Sequence, residues 1–240
     1  MSHEREFPYL PIHSIALEKA RNRAKEFPNA LAFLVLDVDE VIFSTRATLA
    51  KVLYKRLYQK YPHLQDRLPL PEEATKNGVR NTYMPHLGEA YEEEWLAAEL
   101  TQEHLKNAPL VDSMVTEKIV ELEEANYPTL LLLSARQVDA AELTQQEAEK
   151  IGISREIPVF AMFPGDEHVA KMKLSVLKEL ASSLGKPVIL IDDAPETIHA
   201  IEALEDPLLM GILYETERHP NASTKRRGVW STMLDVIRRQ

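Results

Sequence analysis

Two pairs of aspartates follow apolar segments of this sequence and could together bind a metal ion. Asp37 and Asp39 end the first segment in LVLDVDEVIF, and Asp192 and Asp193 end a later one in PVILIDDAP. Residues two apart in an extended backbone point to the same side, so Asp37 and Asp39 are expected to converge. If both segments are central strands of a parallel sheet, up to four carboxylates meet at the edge where such sheets bind ligands.

A cluster of four carboxylates requires a cation, because like charges about 4 Å apart repel by about 4 kcal/mol near a protein surface. Oxygen ligands without His or Cys at metal-ligand spacing favour a hard ion, and Mg²⁺ fits where a phosphate completes its octahedron. Each pair alone has a simpler explanation. A D-x-D pair is common where a strand ends in a turn, and Asp192 and Asp193 could cap a helix that starts near Pro195. One cap needs only one side chain, so the second aspartate favours a metal site.

Two further residues could act on a phosphate at the same edge. Ser134 ends the apolar segment LLLLSAR and could donate its hydroxyl to a phosphate oxygen, although a serine there is more typical of a turn. Lys173, in KMKLSVLKEL, could place an ammonium against the negative charge, although most helical lysines are solvated. Lys171 is its rival. We prefer Lys173 because the leucines of that segment then give its helix an apolar side facing the sheet.

From residue 110 onward, short apolar segments alternate with amphipathic segments of helical length, which predicts an α/β fold. Each apolar segment is apolar on both alternating faces, as in a strand that is covered on both sides. We therefore expect a Rossmann-like parallel sheet of about five strands flanked by helices. The predicted strands are LAFLVL (31–36), TLLLL (129–133), IPVFAMF (157–163), PVILI (187–191) and MGILY (210–214).

Some helix boundaries between these strands can also be predicted. Asp139 and Glu142 form a capping-box pattern at the start of one helix, and Gly152 predicts its end. Pro195 suits the first turn of another helix, just after Asp193.

Residues 44–108 interrupt the alternation and are predicted to form a mainly helical insertion. Apolar residues recur at helical spacing over 49–61, and an acidic helix is predicted around 89–103. Prolines and a glycine interrupt the middle, 68–85, which predicts an irregular connection. The α/β core would then consist of residues 1–43 and 109–240.

Composition argues against several classes of protein. The chain has no cysteine, which excludes disulfides, thiolate nucleophiles and cysteine metal ligands. Its net charge of −10 disfavours general nucleic-acid binding, although a local basic patch could hold one strand end. The basic cluster Lys225, Arg226 and Arg227 is predicted to lie in a solvated loop. No apolar segment approaches the roughly 20 residues of a membrane span, and the first residues do not resemble a secretory signal, so we expect a cytoplasmic location without membrane partners.

The order of these motifs resembles the haloacid dehalogenase superfamily: D-x-D after the first strand, Ser or Thr after the second, a lysine, and paired aspartates after the fourth. The resemblance spans 31–214, and the insertion after the first motif looks like that superfamily's cap. It implies that Asp37 attacks phosphorus and forms an aspartyl-phosphate, while Asp39 protonates the leaving oxygen and later activates water. Dehalogenating members lack an acid two residues after the nucleophile, so Asp39 points to phosphoryl transfer.

The same resemblance implies roles for the other motif residues. Ser134 would bind the transferring phosphoryl group, and Lys173 would neutralise the charge of the intermediate. A Mg²⁺ site would be formed by the carboxylates of Asp37 and Asp192 and the backbone carbonyl of Asp39, with Asp193 beside them.

A finer resemblance lies in SARQVDAAELTQQEAEKIGI, GDEHVAKMKLSVLKEL and IDDAPETI, whose layout is similar to polynucleotide-end phosphatases and related nucleotidases. Two positions depart from the superfamily pattern. Glu40 stands where many members have glycine, and Thr197 where many have asparagine. Glycine allows the turn beside the nucleophile to adopt conformations that other residues resist, so Glu40 raises the question of how that turn forms.

The function implied by this resemblance is a Mg²⁺-dependent phosphomonoester hydrolase; the alternative is an inactive relative that binds a ligand or partner through its cap. The filled motif positions favour the enzyme. A receiver-type signalling module is disfavoured, because its paired acids follow the first strand and its acceptor the third. The substrate could be a nucleotide, a polynucleotide end or a small phosphometabolite. Arg80, Tyr83 and His86 are candidates for contacting a leaving group, with exposed loop positions as the simpler explanation. The oligomeric state is not predicted.

Overall fold

The computed structural model describes residues 11–99, 101, 104, 106, 108–162, 169–216, 219 and 222–239. The helices are α1 (Pro11–Glu26), α2 (Arg46–Lys60), α3 (Pro71–Asn77), α4 (Val79–Leu87), α5 (Ala90–Glu99), α6 (Val115–Glu124), α7 (Ala141–Lys150), α8 (Val169–Leu184), α9 (Pro195–Glu202) and α10 (Met233–Arg238). The strands are β1 (Phe33–Asp37), β2 (Thr129–Gln137), β3 (Val159–Met162), β4 (Val188–Asp192), β5 (Leu209–Tyr214) and β6 (Arg227–Gly228). Short 3-10 turns lie at Pro62–Leu64, Val138–Ala140 and Trp230–Thr232.

Six strands of the described chain form one parallel sheet in the order β3-β2-β1-β4-β5-β6. The predicted α/β class and Rossmann-like sheet are confirmed. The strand order changes direction between β1 and β4, and open sheets of this kind bind ligands in the crevice at that point. The additional strand, β6, has only two residues and no apolar segment, so periodicity could not reveal it. Because Arg227 lies in β6 and forms an ion pair with Glu215, the predicted basic loop is wrong for that residue.

Alternate residues of the central strands pack into two different cores. In β1, Leu34 and Leu36 belong to the core on one face of the sheet, whereas Phe33 and Val35 belong to the core on the other. Helices α6 and α10 cover the first face, and α1 and α8 cover the second. Burial on both faces explains why the strands are continuous apolar segments without polar alternation.

Between β1 and β2 the chain forms α2 to α5, which pack around an apolar cluster of their own that includes Leu57 and Tyr83. The prediction of an irregular connection over 68–85 is wrong, since α3 and α4 occupy most of that segment. Pro71 is the first residue of α3, where a missing N–H breaks no helical hydrogen bond. Gly78 separates α3 from α4 with a φ of 92°, so these breakers end helices without preventing them.

The two ends of this helical segment meet beside the loop that follows β1. Ser44 donates its backbone N–H to the carbonyl of Pro109 at 2.7 Å, which joins the outgoing and returning chain. Trp230, buried near the C-terminal end of the described chain, donates its indole N–H to the carbonyl of Val41 at 2.8 Å. The loop after β1 is therefore fixed from two sides before any ligand binds.

Two of the three predicted helix boundaries agree with the structure. Pro195 is the first residue of α9, and Gly152 follows α7 with a φ of 89°. The capping box of Asp139 and Glu142 is wrong: a 3-10 turn over Val138–Ala140 precedes α7, whose start has no side-chain cap. No helix in the described part of the chain is both long and apolar enough to cross a membrane.

Candidate active site at the carboxyl edge of the sheet

Three aspartates converge at the carboxyl ends of β1 and β4. The two strands pair with Leu36 beside Ile191, so Asp37 and Asp192 follow at adjacent positions. Asp193 is the next residue along the chain. One carboxylate oxygen from each of Asp37, Asp192 and Asp193 lies within 4.8 Å of the others, and all three residues are buried. The structure thus brings together three of the four predicted carboxylates.

Lys173 extends from α8 into this carboxylate cluster and is itself buried. Its ammonium donates a hydrogen bond to Asp192 Oδ2 at 2.7 Å. It also lies 2.8 Å from Asp37 Oδ1, as an ion pair without good hydrogen-bond alignment. Burial alone would lower the pKa of Lys173, but the carboxylates of Asp192 and Asp37 outweigh burial and raise it. Lys173 is therefore a fixed positive charge; its rival, Lys171, is exposed.

One ammonium does not balance the negative charge of the cluster. Burial raises the pKa of Asp37 well above its usual range; Lys173 opposes this shift, and Asp192 and Asp193 add to it by repulsion. Arg46, whose Nη2 lies 4.0 Å from Asp193 Oδ2, adds a second positive charge, but two cations still face three buried carboxylates, and a bound metal ion would recover free energy that their repulsion costs. The donor atoms are hard oxygens at a sheet edge, a set that suits Mg²⁺. The residues present fit the predicted ion.

Asp39 lies next to the cluster, but its carboxylate is bound by Arg136. The Arg136 Nη2 and Nε atoms donate to Asp39 Oδ1 at 2.8 and 3.1 Å, and Nε lies 3.2 Å from Oδ2. Burial acts to raise the pKa of Asp39, but the charge and hydrogen bonds of Arg136 outweigh it, and the pKa is lowered. Asp37 and Asp39 therefore lie in opposite electrostatic environments, although only one residue separates them.

Ser134 and Arg136 come from the same stretch of β2. Ser134 is buried, and its Oγ accepts the backbone N–H of Arg136 at 3.0 Å. The third guanidinium nitrogen of Arg136, Nη1, donates to Thr144 Oγ1 at 2.9 Å, which holds the side chain from behind. Sequence reasoning identified Ser134 and missed Arg136. Strand alternation is only a weak signal for Arg136, because the register of β2 against β3 shifts between Ser134 and Gln137.

Arg46 is a second residue that the sequence prediction missed. It is the first residue of α2, and its Nη2 lies 4.0 Å from Asp193 Oδ2. No local pattern marks this residue, because an arginine at a helix start is unremarkable and its partner is far along the chain. Arg46 extends from the helical insertion to the acidic cluster of the core.

The other residues named from the sequence are distributed as follows. Thr197 is buried in the first turn of α9. Tyr83 is buried within the apolar cluster of the insertion, so the expectation of an exposed loop is wrong for it. Arg80 lies on the surface in an ion pair with Glu92 at 2.7 Å, and His86 is in the last turn of α4. None of these contacts involves the acidic cluster.

His104, on the returning end of the insertion, lies near Asp39 and Arg136 without pairing with either. It is buried, and burial lowers its pKa to about 4. The imidazole is therefore neutral at physiological pH, and it adds no charge to the site.

Comparison with solved structures assigns the fold. A haloacid dehalogenase-like hydrolase from Streptococcus pneumoniae superposes with a TM-score of 0.62 at 11% identity, covering 86% of this chain and 98% of that one. A haloacid dehalogenase family hydrolase from Deinococcus radiodurans, solved with bound phosphate and sodium, superposes with a TM-score of 0.56 at 14% identity. The match covers 88% of this chain and 96% of that one. Protein tyrosine kinase A of Mycobacterium tuberculosis superposes with a TM-score of 0.58 at 14% identity, and the match covers 88% of this chain and 98% of that one.

No protein-family model matches the sequence, and comparison with curated protein sequences gives no match. At 11 to 14% identity, these structural matches establish a shared fold and carry no information on substrate. The chain has the haloacid dehalogenase-like fold over most of its length.

Proposed function

We propose that this chain, which has the haloacid dehalogenase-like fold, is a Mg²⁺-dependent phosphomonoester hydrolase. The observation that carries the proposal is the convergence of Asp37, Asp192 and Asp193 around Lys173 at the switch point of the sheet. A buried, excess negative charge at a ligand-binding edge calls for a divalent cation and a phosphorylated ligand together.

The residues that would hold Mg²⁺ are the carboxylates of Asp37 and Asp192 and the backbone carbonyl of Asp39, with Asp193 beside them. When bound, the ion supplies neutralisation of the carboxylates and of the phosphoryl oxygens. Lys173 offers one positive charge in the same place and holds Asp37 and Asp192 together. Its role in the proposal is to orient the nucleophile and offset the charge of the phosphorylated intermediate.

Asp37 is proposed as the nucleophile. One carboxylate oxygen forms a bond to phosphorus while the bond from phosphorus to the leaving oxygen breaks, and the product alcohol departs with one proton. In the second half, a water oxygen bonds to phosphorus, the bond from Asp37 to phosphorus breaks, and inorganic phosphate leaves. Fixation of Asp37 by the sheet and by Lys173 supports this assignment, because in-line attack requires accurate positioning.

Asp39 is proposed to move the protons. Arg136 holds its carboxylate in the ionised form, which is the form needed to take a proton from water in the second half. Donation to the leaving oxygen requires the protonated form. An incoming phosphoryl dianion would favour that form, because a nearby like charge raises a carboxyl pKa. Arg136 thus keeps the Asp39 carboxyl ionised before substrate binds, and the bound phosphoryl group would raise the pKa of that carboxyl.

The helices α2 to α5 are proposed to act as a cap over the sheet edge, which retains the domain division into a core of 1–43 and 109–240 and an insertion of 44–108. Arg46 supports this role, since it brings a guanidinium from the insertion to Asp193. A guanidinium in this position can bind a phosphoryl oxygen with defined geometry. The substrate is proposed to be a phosphorylated small molecule, a nucleotide or a polynucleotide end.

The proposal is tested by hydrolysis of p-nitrophenyl phosphate with Mg²⁺ and with excess chelator. We expect Mg²⁺-dependent release of phosphate, and acid-quenched protein should carry one phosphoryl group on Asp37 by peptide mass spectrometry. Asp235→Asn, which changes an exposed aspartate of α10, serves as the matched control and should match the wild type. Equal hydrolysis in chelator, or a phosphoryl group on another residue, would contradict the proposal.

A further inference from the structure

Glu40 follows Asp39 directly and adopts a backbone conformation that L-residues seldom adopt. Its φ is 61°, and Asn126 and Glu205 are the other non-glycine residues of the described chain with positive φ. The left-handed region is unfavourable for a residue with a β-carbon, so it persists only where contacts compensate. Contacts of the Glu40 side chain are therefore expected to compensate for a backbone conformation that glycine would adopt more easily.

The side chain of Glu40 makes these contacts. Its Oε1 accepts the backbone N–H groups of Thr45 and Arg46, both at 2.9 Å, and lies 3.4 Å from Thr45 Oγ1. Its own N–H donates to the carbonyl of Phe43 at 2.7 Å, which closes the loop. Thr45, the residue at the cap position of α2, makes no side-chain capping bond. Glu40 thus caps α2 in its place, and a carboxylate at a helix N-terminus is favoured by the helix dipole.

The contact between Glu40 and the start of α2 links the loop that follows β1, residues 38–43, to the insertion. We call this loop the nucleophile loop, because it directly follows Asp37. Glu40 lies one residue after Asp39, and the helix that it caps begins with Arg46, whose Nη2 lies 4.0 Å from Asp193. One carboxylate therefore sets where α2 starts relative to Asp37 and Asp39, and thereby where the Arg46 guanidinium lies. A glycine at position 40 would form the turn but would leave the first N–H groups of α2 without this acceptor.

We propose that Glu40 is a positioning residue that couples the nucleophile loop to α2 and holds Arg46 beside the acidic cluster. The effect on turnover rests on the proposed phosphatase function, whereas the structural coupling does not. Glutamate in place of glycine at position 40 would then connect the nucleophile loop to the proposed cap through hydrogen bonds.

The test compares Glu40→Gly with Glu205→Gly, because both remove a left-handed side chain but only Glu40 contacts a helix N-terminus. Relief of left-handed strain should keep Glu205→Gly close to the wild type in thermal stability, whereas Glu40→Gly also loses the cap of α2 and should melt at a somewhat lower temperature while staying folded at the assay temperature. We expect kcat/KM on p-nitrophenyl phosphate to fall about 10- to 100-fold in Glu40→Gly, as expected for a displaced catalytic group, and to stay unchanged in Glu205→Gly. Glu40→Gln keeps an oxygen acceptor and should restore most of the activity.

A double-mutant cycle separates coupling from a general loss of structure. If Glu40 acts through Arg46, Glu40→Gly should reduce kcat/KM much less in an Arg46→Gln background than in the wild type. Additive losses in kcat/KM would overturn the proposed route through Arg46.

Hydrogen exchange gives a readout that does not depend on turnover. In Glu40→Gly the amides of Thr45 and Arg46 should exchange about tenfold faster or more, because each loses a charged acceptor. Their exchange should be nearly unchanged in Glu40→Gln and unchanged in Glu205→Gly. Wild-type exchange at these amides in Glu40→Gly would overturn the coupling. If the wild type hydrolysed no phosphate ester, the proposed function would fail while this comparison still decided the role of Glu40.

Discussion

Arg136 binds Asp39 with two nitrogens of one guanidinium, the nearer at 2.8 Å, and this pairing separates the two acids of the D-x-D motif. Burial raises the pKa of Asp37, whereas Arg136 lowers that of Asp39. Two aspartates separated by one residue therefore meet different chemical requirements. A cation bound at the cluster would oppose the effect of burial and favour the ionised form of Asp37, which nucleophilic attack requires.

Arg136→Lys should impair catalysis although it preserves the charge. Lysine cannot donate two parallel hydrogen bonds to Asp39 while also reaching Thr144. We expect kcat/KM on an alkyl phosphate to fall about 10- to 100-fold, since Asp39 loses its fixed orientation. Arg155→Lys, which changes an exposed arginine, is the control and should leave steady-state kinetics unaltered. A kcat/KM equal to that of the wild type in Arg136→Lys would show that catalysis does not depend on the geometry of the guanidinium.

Asp37→Asn should abolish turnover without unfolding the protein. The substitution removes the proposed nucleophile, and we expect kcat to drop by at least about 10⁴-fold. Burial already disfavours the charge on Asp37, so an uncharged side chain of the same size is tolerated there, and Lys173 keeps Asp192 as a partner. Circular dichroism and thermal melting should match the metal-free wild type. Measurable phosphoenzyme formation by this variant would exclude Asp37 as the nucleophile.

Mg²⁺ should stabilise the folded chain as well as support turnover. A ligand that binds only the native state adds about 2.7 kcal/mol at a hundred times its Kd, and here it also relieves repulsion among buried carboxylates. We expect the melting temperature to rise with Mg²⁺ in the wild type and to change much less in Asp192→Asn. Ca²⁺, with its longer and more variable coordination, should support little turnover. Identical melting curves with and without saturating Mg²⁺ would argue against a metal site.

The sheet could be predicted from sequence because its strands are buried on both faces. Continuous apolar segments such as 31–36 and 187–191 arise from that burial, and the aspartates that end them mark its carboxyl edge. The helices of 71–87 were not predicted, because proline and glycine are typical of loops, whereas Pro71 and Gly78 lie at helix boundaries. Proline at a first turn and glycine after a last turn have different meanings from the same residues inside a helix.

Within the site, residues that end strands could be predicted from the sequence, whereas residues that reach the site through tertiary contacts could not. Asp37 and Asp192 follow apolar segments and were visible for that reason. Arg46 reaches Asp193 from a separate helix, so only the fold shows the contact. Arg136 is an intermediate case, since it lies only two residues after Ser134 but in a stretch where the register of β2 shifts. Glu40 departs from the superfamily pattern in the sequence, but its capping of α2 depends on where that helix starts, which only the fold shows.

Glu94→Gln should destabilise the insertion and leave the core nearly unaffected. Glu94 is buried and accepts hydrogen bonds from Lys60, Arg56 and Tyr61. Burial acts to raise its pKa, but these three partners outweigh burial and lower it. Because Lys60 and Arg56 are more than one-third exposed, solvent screens their charges, and we expect a loss of only about 1 kcal/mol in unfolding free energy at pH 7.

The pH dependence of that loss has a definite sign. A carboxyl whose pKa is lowered on folding contributes stability above its ordinary pKa of 4.5, and the contribution disappears as the pH falls through the folded-state value. Wild type and Glu94→Gln should therefore differ in urea unfolding at pH 7, begin to converge as the pH falls below 4.5, and match below the folded-state pKa of Glu94. Glu93→Gln, at the exposed neighbouring position, is the matched control and should show no such difference. A constant difference down to low pH would show that packing, rather than ionisation, explains the effect.

Asp39→Asn should slow alkyl phosphates far more than aryl phosphates. An alkoxide leaving group needs a proton as its bond to phosphorus breaks, and general acid help is worth about 10²- to 10⁴-fold, whereas a phenolate needs little. The comparison is made within one variant, so misfolding or loss of metal would depress both substrates together. Asparagine also leaves Arg136 without its anionic partner, so Asp39→Asn combined with Arg136→Gln tests whether the orphaned guanidinium contributes to the loss. The phosphoenzyme should accumulate in the single variant, because water would lack its base, and rapid-quench measurements should detect it. Equal losses on both substrate classes, with no accumulation, would assign Asp39 to the structure of the site and leave the proton transfers to another group.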